Sequence, residues 1–433
     1  ARPPAAARPS EPFTRKIFRA GIMNILHTSD WHLGHQLYGK RRSEEFQAFL
    51  AWLGQLVHER RVEALLIAGD VFDSALPGTR AQEMYYRFLG EVLAPSSPCR
   101  HVVVVAGNHD SPAFLDAPNT LLSVMGIHVT GRAKEPEDEV LVLNGPDGEP
   151  ELIVCAVPFL LERDLYRARE GEGRDERDRL MAEGMREHYR KAALQAERLR
   201  AGRDIPVVAM GHLFAAGCAP SEGVRDLRVG SLGQVDAGIF PESFDYVALG
   251  HLHLPQKAGG RENIRYSGSP LPMSFGEARR PKEVRLLESR GAQVMSEGVP
   301  VPVFRRLESV EGDLDAIEQR LAELSARKES IWAEVTYTGT ERVADLRDRV
   351  EAHTGGGLEV LRIRNFRLLP EGMEADPQQE TLEDMGVEDV FERRLKEAFP
   401  DADPADPKLE ELRALYKEVL AMPENGEEGP CAS

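Results

Sequence analysis

Five short apolar runs, Asn24 to His27, Ala64 to Ala68, His101 to Ala106, Pro206 to Met210 and Tyr246 to Leu249, each break off into a loop carrying Asp, Asn or His. Rich in Val, Ile, Leu and Ala and bounded by Gly, they read as buried strands. The loops are Ser29-Asp30-Trp31-His32, Gly69-Asp70, Gly107-Asn108-His109-Asp110, Gly211-His212 and Gly250-His251-Leu252-His253. In α/β sheets the residues just past the carboxyl ends of strands line the ligand crevice, so five such ends can deliver side chains to one place however distant in sequence.

Helix-like stretches, Glu44 to Arg60 and Arg80 to Leu93, alternate with these strands, which is the α/β pattern. At 433 residues the chain is too long for one ordinary core. We expect a first region over residues 23–281 that carries all five loops. Its charged stretch between Phe159 and Pro206 has Leu180, Met181, Met185 and Tyr189 at near-helical spacing and reads as a solvated connecting helix rather than a lid.

A second region, residues 282–366, has strand and helix in alternation. Leu314, Ile317, Leu321 and Leu324 mark one amphipathic helix; Val343, Leu346 and Val350 mark another. Ile331 to Tyr337 and Leu358 to Ile363 alternate as half-buried strands. With no catalytic constellation, it reads as a small accessory α+β domain. In the third region, residues 367–433, two short helices, Val387 to Phe399 and Leu409 to Leu420, carry apolar faces too large to stay uncovered and too short to make a core alone. They either pack back on the accessory domain or dock in a groove of another protein.

Residues 1–22 are rich in Arg, Pro and Ala and lack the apolar core of a secretory signal. They read as an upstream extension or an artefact ahead of Met23, outside the fold. No apolar stretch approaches the roughly 20 residues that span a bilayer, so no membrane partner is expected. Cys99, Cys155, Cys218 and Cys431 form no C-x-x-C pair, which argues against a zinc knuckle or a disulfide framework and favours a reducing cytoplasm. The net charge of −18 would disfavour nucleic acid, but −12 of it lies between Phe366 and Ser433. A nucleic-acid-binding face elsewhere is compatible with that distribution.

The loop residues suit two divalent metals. Such a pair, about 3.5 to 4 Å apart, activates water and neutralises charge on an attacked phosphate. It needs one bridging carboxylate and mostly neutral ligands around it. Asp70 is the natural bridge, with Asp30, His32 and His253 on one metal and Asn108, His212 and His251 on the other. Imidazole, amide and carboxylate without thiolate suit manganese or iron, with zinc open and magnesium disfavoured. Singly, each motif is ordinary turn chemistry; the conjunction at five successive strand ends carries the weight.

His109, beside Asn108, is placed to bond the phosphate or protonate the leaving oxygen. We expect the Asp73 carboxylate to accept a hydrogen bond from His109 and orient it, the alternative being a loop or helix-cap residue. Asp110 is expected to cap the helix that follows. His27, His35, His58, His101, His128, His188 and His353 lack motif support and read as structural or exposed. The segment His35 to Arg42, with three cations and Tyr38, either grips a nucleic-acid backbone or is a solvated helix start.

Asp30-x-His32, Gly69-Asp70-x-x-Asp73, Gly107-Asn108-His109-Asp110, Gly211-His212 and Gly250-His251-x-His253 resemble the motifs of the calcineurin-like metallophosphoesterases. Longer runs, Leu26 to Gly34, Ala68 to Asp73, Ala106 to Ser111 and Tyr266 to Phe275, resemble the nuclease subunits of the bacterial SbcCD family, over about Asn24 to Leu420. The resemblance implies a sandwich of two sheets flanked by helices, a small α+β capping domain that binds DNA and a C-terminal helical pair that binds the partner. It implies a manganese-dependent nuclease acting on double-strand ends, hairpins and single strands in DNA repair, working with an ABC-type ATPase that carries a coiled coil.

It also implies a homodimer within a heterotetramer. Helices Arg80 to Leu93 and Phe114 to Met125, with Met84, Tyr85, Phe88, Phe114, Leu115, Leu121, Leu122 and Met125, are candidates for that contact or simply cover the sheet. Archaeal and eukaryotic relatives place His where this chain has Asp73, a departure that follows the bacterial pattern. Competing functions are a metallophosphatase or cyclic-nucleotide phosphodiesterase of the same superfamily and a non-catalytic scaffold.

Overall fold

A computed structural model describes residues 22–166, 173–215, 218–219, 235–341 and 343–366, with scattered positions between 391 and 416. Contacts divide the chain into two units, with the division at Phe304 and Arg305.

The first unit is built on two six-stranded sheets. In chain order its strands are β1 (Ile22–Thr28), β2 (Ala64–Ala68), β3 (His101–Val105), β4 (Ile127–Thr130), β5 (Val140–Asn144), β6 (Pro150–Ala156), β7 (Val207–His212), β8 (Tyr246–Gly250), β9 (Gln256–Lys257), β10 (Ile264–Tyr266), β11 (Glu283–Arg290) and β12 (Gln293–Pro300). One sheet runs β12-β11-β1-β2-β3-β4, the other β9-β10-β8-β7-β6-β5. Strands β1 to β4 are mutually parallel, as are β6, β7, β8 and β10.

Successive side chains on a strand face opposite ways, and here both faces are apolar. Ile25, Leu66 and Val103 of one sheet meet Val154, Val208 and Ala248 of the other in a shared core. Leu26, Leu65, Ile67, Val102 and Val104 face outward under α1 (Ser43–Glu59) and α2 (Thr79–Val92). In α1, Phe46, Phe49, Leu50, Leu53, Leu56 and Val57 recur every three or four residues and are buried, while Glu44 and Glu45 sit at the N-terminal, positive end of its dipole. Each such apolar side chain contributes roughly 1.5–3 kcal/mol by leaving water.

The charged stretch forms α3 (Arg174–Arg200). It is more than a solvated connector, because Met185, Tyr189, Ala192, Ala193 and Ala196 pack on the outer face of the second sheet. The first unit is thus helix, sheet, sheet, helix in layers, the sandwich that the family resemblance implies. Its boundary differs from the sequence reading. β11 pairs with β1 in antiparallel register, Leu287 opposite Ile25, so residues 283–300 complete the first sheet instead of opening the second region. Isolated apolar alternation cannot reveal which sheet a strand joins.

The second unit has three parallel strands, β13 (Arg306–Gly312), β14 (Ile331–Tyr337) and β15 (Leu358–Asn365), with α4 (Leu314–Ser325) and α5 (Leu346–Glu351). Ile317, Leu321, Leu324, Leu346 and Val350 pack on Val310, Ile331, Ala333 and Val335. The C-terminal helices expected over 387–399 and 409–420 lie largely outside the described residues. At the described positions Phe391 stacks on Tyr416 with ring centroids 3.8 Å apart, and Arg413 pairs with Glu392 at 2.8 Å. No helix among the described residues is long and apolar enough to cross a membrane.

Candidate metal centre

The loops after β1, β2 and β3 leave one sheet and those after β7 and β8 leave the other, and they converge. Asp30, His32 and His253 offer ligand atoms within 4.8 Å of one another, as do Asp30, Asp70 and His212. Nε2 of His32 lies 3.2 Å from Nε2 of His253, and Nε2 of His212 lies 3.2 Å from Asp70 Oδ2. Asn108 Oδ1 is 3.0 Å from both His212 Nε2 and His251 Nδ1. Asp70 Oδ2 also lies 3.7 Å from His32 Nε2, so this carboxylate stands between the two groups. All seven side chains expected at the centre are together.

The backbone takes unusual forms to do this. Asp30, His32, Asp70 and His251 have φ of 52°, 47°, 51° and 100°, which costs non-glycine residues about 1–3 kcal/mol each. Hydrogen bonds between loops hold them: Asp30 N to Gly69 O, 3.0 Å; His32 N to Asp70 O, 3.0 Å; His251 N to Asp30 Oδ1, 2.9 Å; His109 N to Asp70 Oδ1, 2.9 Å. The preceding glycines allow close approach. A Cβ on Gly69 or Gly250 would strike His212 Nδ1, and one on Gly107 would strike the Asp70 carboxylate.

The donor chemistry fits cations. His212 Nδ1 lies 2.9 Å from the Ala68 carbonyl, which only accepts, so Nδ1 donates there and Nε2 is the ring atom turned toward Asp70. His253 Nδ1 faces the Glu277 carboxylate at 3.1 Å, which leaves its Nε2 lone pair toward His32. Lone pairs and carboxylate oxygens that converge on one another require positive charge between them. The charges show the same demand. Burial lowers the pKa of His212, yet Asp70 and Asp30 outweigh it and raise it to about 9, so that without a cation a proton on Nε2 takes its place beside Asp70. Burial likewise opposes ionisation of Asp70, but His212, His109 and His32 hold its carboxyl well below the usual range.

Two expectations change. His109 Nδ1 meets the main-chain oxygen of Asp73 at 2.9 Å, whereas the Asp73 carboxylate contacts His35 Nδ1 at 3.0 Å and His32 Nδ1 at 3.5 Å. His35, which no sequence motif marks, is therefore part of the site's surroundings. Asp110 caps nothing: Ser111 caps the short helix Pro112–Asp116, and the Asp110 carboxylate accepts from the amides of Val71, Phe72 and Gly107. That stitches the β2 and β3 loops together. Burial and then the Asp70 charge push its pKa up to about 6.

Sequence reasoning also missed Ser267, whose Oγ is 2.9 Å from Ser29 Oγ, itself bonded to Asp30, and the buried pair Glu277 and Lys282. The family-like run Tyr266 to Phe275 stops two residues short of Glu277. The segment His35 to Arg42 contains a hairpin, Gln36–Leu37 with Lys40–Arg41, whose exposed Tyr38 stacks on Phe275 at 5.8 Å. Of the apolar residues considered for a helical contact, Met84, Tyr85, Phe88, Leu115 and Leu122 are core and Phe114 packs against it, while Leu121 and Met125 are exposed; the helix expected over 114–125 is two short ones, Pro112–Asp116 and Asn119–Val124, the second with Val124 exposed as well.

Comparison with known proteins adds the following. A family model described as calcineurin-like phosphoesterase matches residues 23–255, and one described as type 5 capsule protein repressor C-terminal domain matches residues 303–399. The chain is 37% identical to the D subunit of the nuclease SbcCD from Escherichia coli (strain K12) over 377 residues, 86% of this chain and 92% of that protein. It is 36% identical to the protein of the same name from Rhodobacter capsulatus, over 65% of this chain and 69% of that one. With that from Bacillus subtilis the identity is 34%, over 62% and 66%.

Proposed function

Since the chain belongs to the calcineurin-like phosphoesterases and, among them, to the D subunits of SbcCD nucleases, we propose that it cleaves DNA phosphodiester bonds with two manganese ions at the centre described above. It is a metal-dependent nuclease subunit. Asp30, His32 and His253 would hold one ion and Asn108, His212 and His251 the other, with Asp70 standing between the two groups. When bound, the ions polarise the phosphate and supply an activated water. The observation that carries this reading is the convergence of seven side chains of ligand type, with His212 and His253 each turning Nε2 inward.

His109 is the protein's own proton donor. Its ring centroid lies 4.8 Å from that of His32 at the half-buried edge of the site, and its Nδ1 is engaged by the Asp73 carbonyl, which leaves Nε2 for the leaving oxygen. A complete ligand set weighs against a non-catalytic scaffold. Identity to nuclease subunits over most of the chain favours nuclease action over the metallophosphatase or cyclic-nucleotide phosphodiesterase reading.

The name of the relatives supports a complex with an SbcC-type ATPase. We assign that contact to the acidic C-terminal segment, residues 367–433, DNA contact to the second unit, and homodimerisation within a heterotetramer to the exposed Leu121, Val124 and Met125. The buried free thiols of Cys99, Cys155 and Cys218 support a reducing, cytoplasmic setting. The decisive experiment sets blunt, hairpin and single-stranded DNA in competition with bis-p-nitrophenyl phosphate, in manganese. DNA is expected to suppress hydrolysis of the small diester while being cut; indifference to DNA would sink the proposal.

A further inference from the structure

Glu277 is 1% exposed and Lys282 is 8% exposed, yet both are charged residues joined by a 2.6 Å contact. Such a pair is a poor way to stabilise a fold, because stripping water from two charges offsets most of their attraction. Its geometry points to another use. Glu277 Oε1 lies 3.1 Å from His253 Nδ1, and Oε2 accepts from Lys282 Nζ and, at 3.0 Å, from the Met273 amide. Lys282 Nζ spends its remaining donors on Ser269 Oγ at 2.8 Å and on the His253 carbonyl at 3.0 Å. Ring and main chain of His253 are thus gripped by one ion pair.

The pair also spans the sandwich. His253 follows β8 in the second sheet, whereas Lys282 immediately precedes β11, which is hydrogen-bonded to β1, the strand that delivers Asp30 and His32. This contact therefore sets where His253 stands relative to Asp30 and His32. The other histidines are supported differently. His212 rests on a neutral carbonyl, and His32 Nδ1 is 3.5 Å from the Asp73 carboxylate with no hydrogen bond of its own. A close carboxylate both fixes the tautomer and makes the opposite ring nitrogen a better electron donor.

We infer that Glu277, anchored by Lys282, is a positioning residue that holds His253 with its Nε2 lone pair toward His32 and thereby sets the affinity of one of the two cation positions. The inference rests on His253 being a cation ligand, as proposed above. It makes the two positions unequal: the one shared by Asp30, His32 and His253 depends on the ion pair, and the one with Asn108, His212 and His251 does not.

The test is calorimetric titration of manganese into the full-length protein after chelation, for wild type, Glu277→Gln and the double variant Glu277→Leu with Lys282→Met. The double variant removes the charges together, which spares the fold an unpaired buried ion, and its melting curve without metal reports folding. One of two binding steps is expected to weaken about 10–100-fold in the double variant, with the other unchanged, and less in Glu277→Gln, which retains a neutral acceptor. Two unchanged steps, or equal weakening of both, overturn the inference. A wild type that takes up no manganese overturns the ligand reading itself. A measurement on the wild type alone serves as well: the ring nitrogen shifts of His253 in the metal-free protein should be those of the Nδ1–H tautomer, and the Nε2–H tautomer would refute the role assigned to Glu277.

Discussion

His109 Nδ1 bonds the main-chain oxygen of Asp73 at 2.9 Å, while the carboxylate of the same Asp73 turns to His35 at 3.0 Å. The orientation of His109 therefore does not depend on the Asp73 side chain. His109→Ala is expected to lower kcat by roughly 10²–10⁴-fold, the range for a lost general acid. Asp73→Asn keeps the carbonyl and should act chiefly through His32, raising the manganese concentration for half-maximal rate. Steady-state hydrolysis across a manganese titration separates these; equal kcat losses at saturating manganese would refute the main-chain route.

Gly69 has φ of +87°, and a Cβ there would lie 2.9 Å from the Gly107 Cα and closer still to His212. Gly69→Ala should lower stability by at least about 1 kcal/mol from backbone conformation alone and displace His212. Melting curves with and without manganese should show a lower starting point and a smaller metal-induced rise than wild type. A normal rise would mean that His212 is not needed for cation binding.

Chelation should abolish turnover and added manganese should restore it. Because only the folded protein assembles the ligands, the metal-free protein should also be less stable, by about 2.7 kcal/mol relative to protein at a hundredfold excess of ion over its dissociation constant. Differential scanning calorimetry of the two forms tests this.

His27 is buried between Tyr246 Oη at 3.1 Å and the Leu249 carbonyl at 3.2 Å. Burial, helped by the charge of Arg285, lowers its pKa from 6.5 to about 3. The unfolded chain therefore binds the extra proton first as pH falls. The stabilising effect of keeping His27 neutral is complete above about pH 6.5 and is lost between there and about pH 3, at roughly 1.4 kcal/mol per pH unit. His27→Gln should flatten the fall of unfolding free energy in this window, measured by urea titration of metal-free protein; an unchanged slope would place the pH dependence elsewhere.

Deleting residues 381–433 should abolish co-purification with the ATPase and spare metal-dependent hydrolysis of bis-p-nitrophenyl phosphate. Loss of both would mean that this segment supports the nuclease fold as well.

The strands were legible because each is a run of apolar residues ended by glycine: Ala64–Ala68 matches the sequence reading to the residue. The seven ligand candidates were legible because they sit at strand ends, where direction and pleat leave little freedom. Residues that act on the ligands were harder to see. His35 carried no motif, Glu277 and Lys282 look like ordinary surface charges in sequence, and Asp110 resembled a helix cap.

By itself the sequence determined the elements and the ligand chemistry, since both depend on periodicity and residue type over a few positions. Only the tertiary structure decided that β11 and β12 close the first sheet, that α3 is a packed layer, and that Asp73 reaches His109 through its carbonyl. Those outcomes depend on which surfaces and lone pairs meet across 36 to more than 200 residues of chain, and a contact at that range is set by the packing of whole sheets rather than by any local pattern.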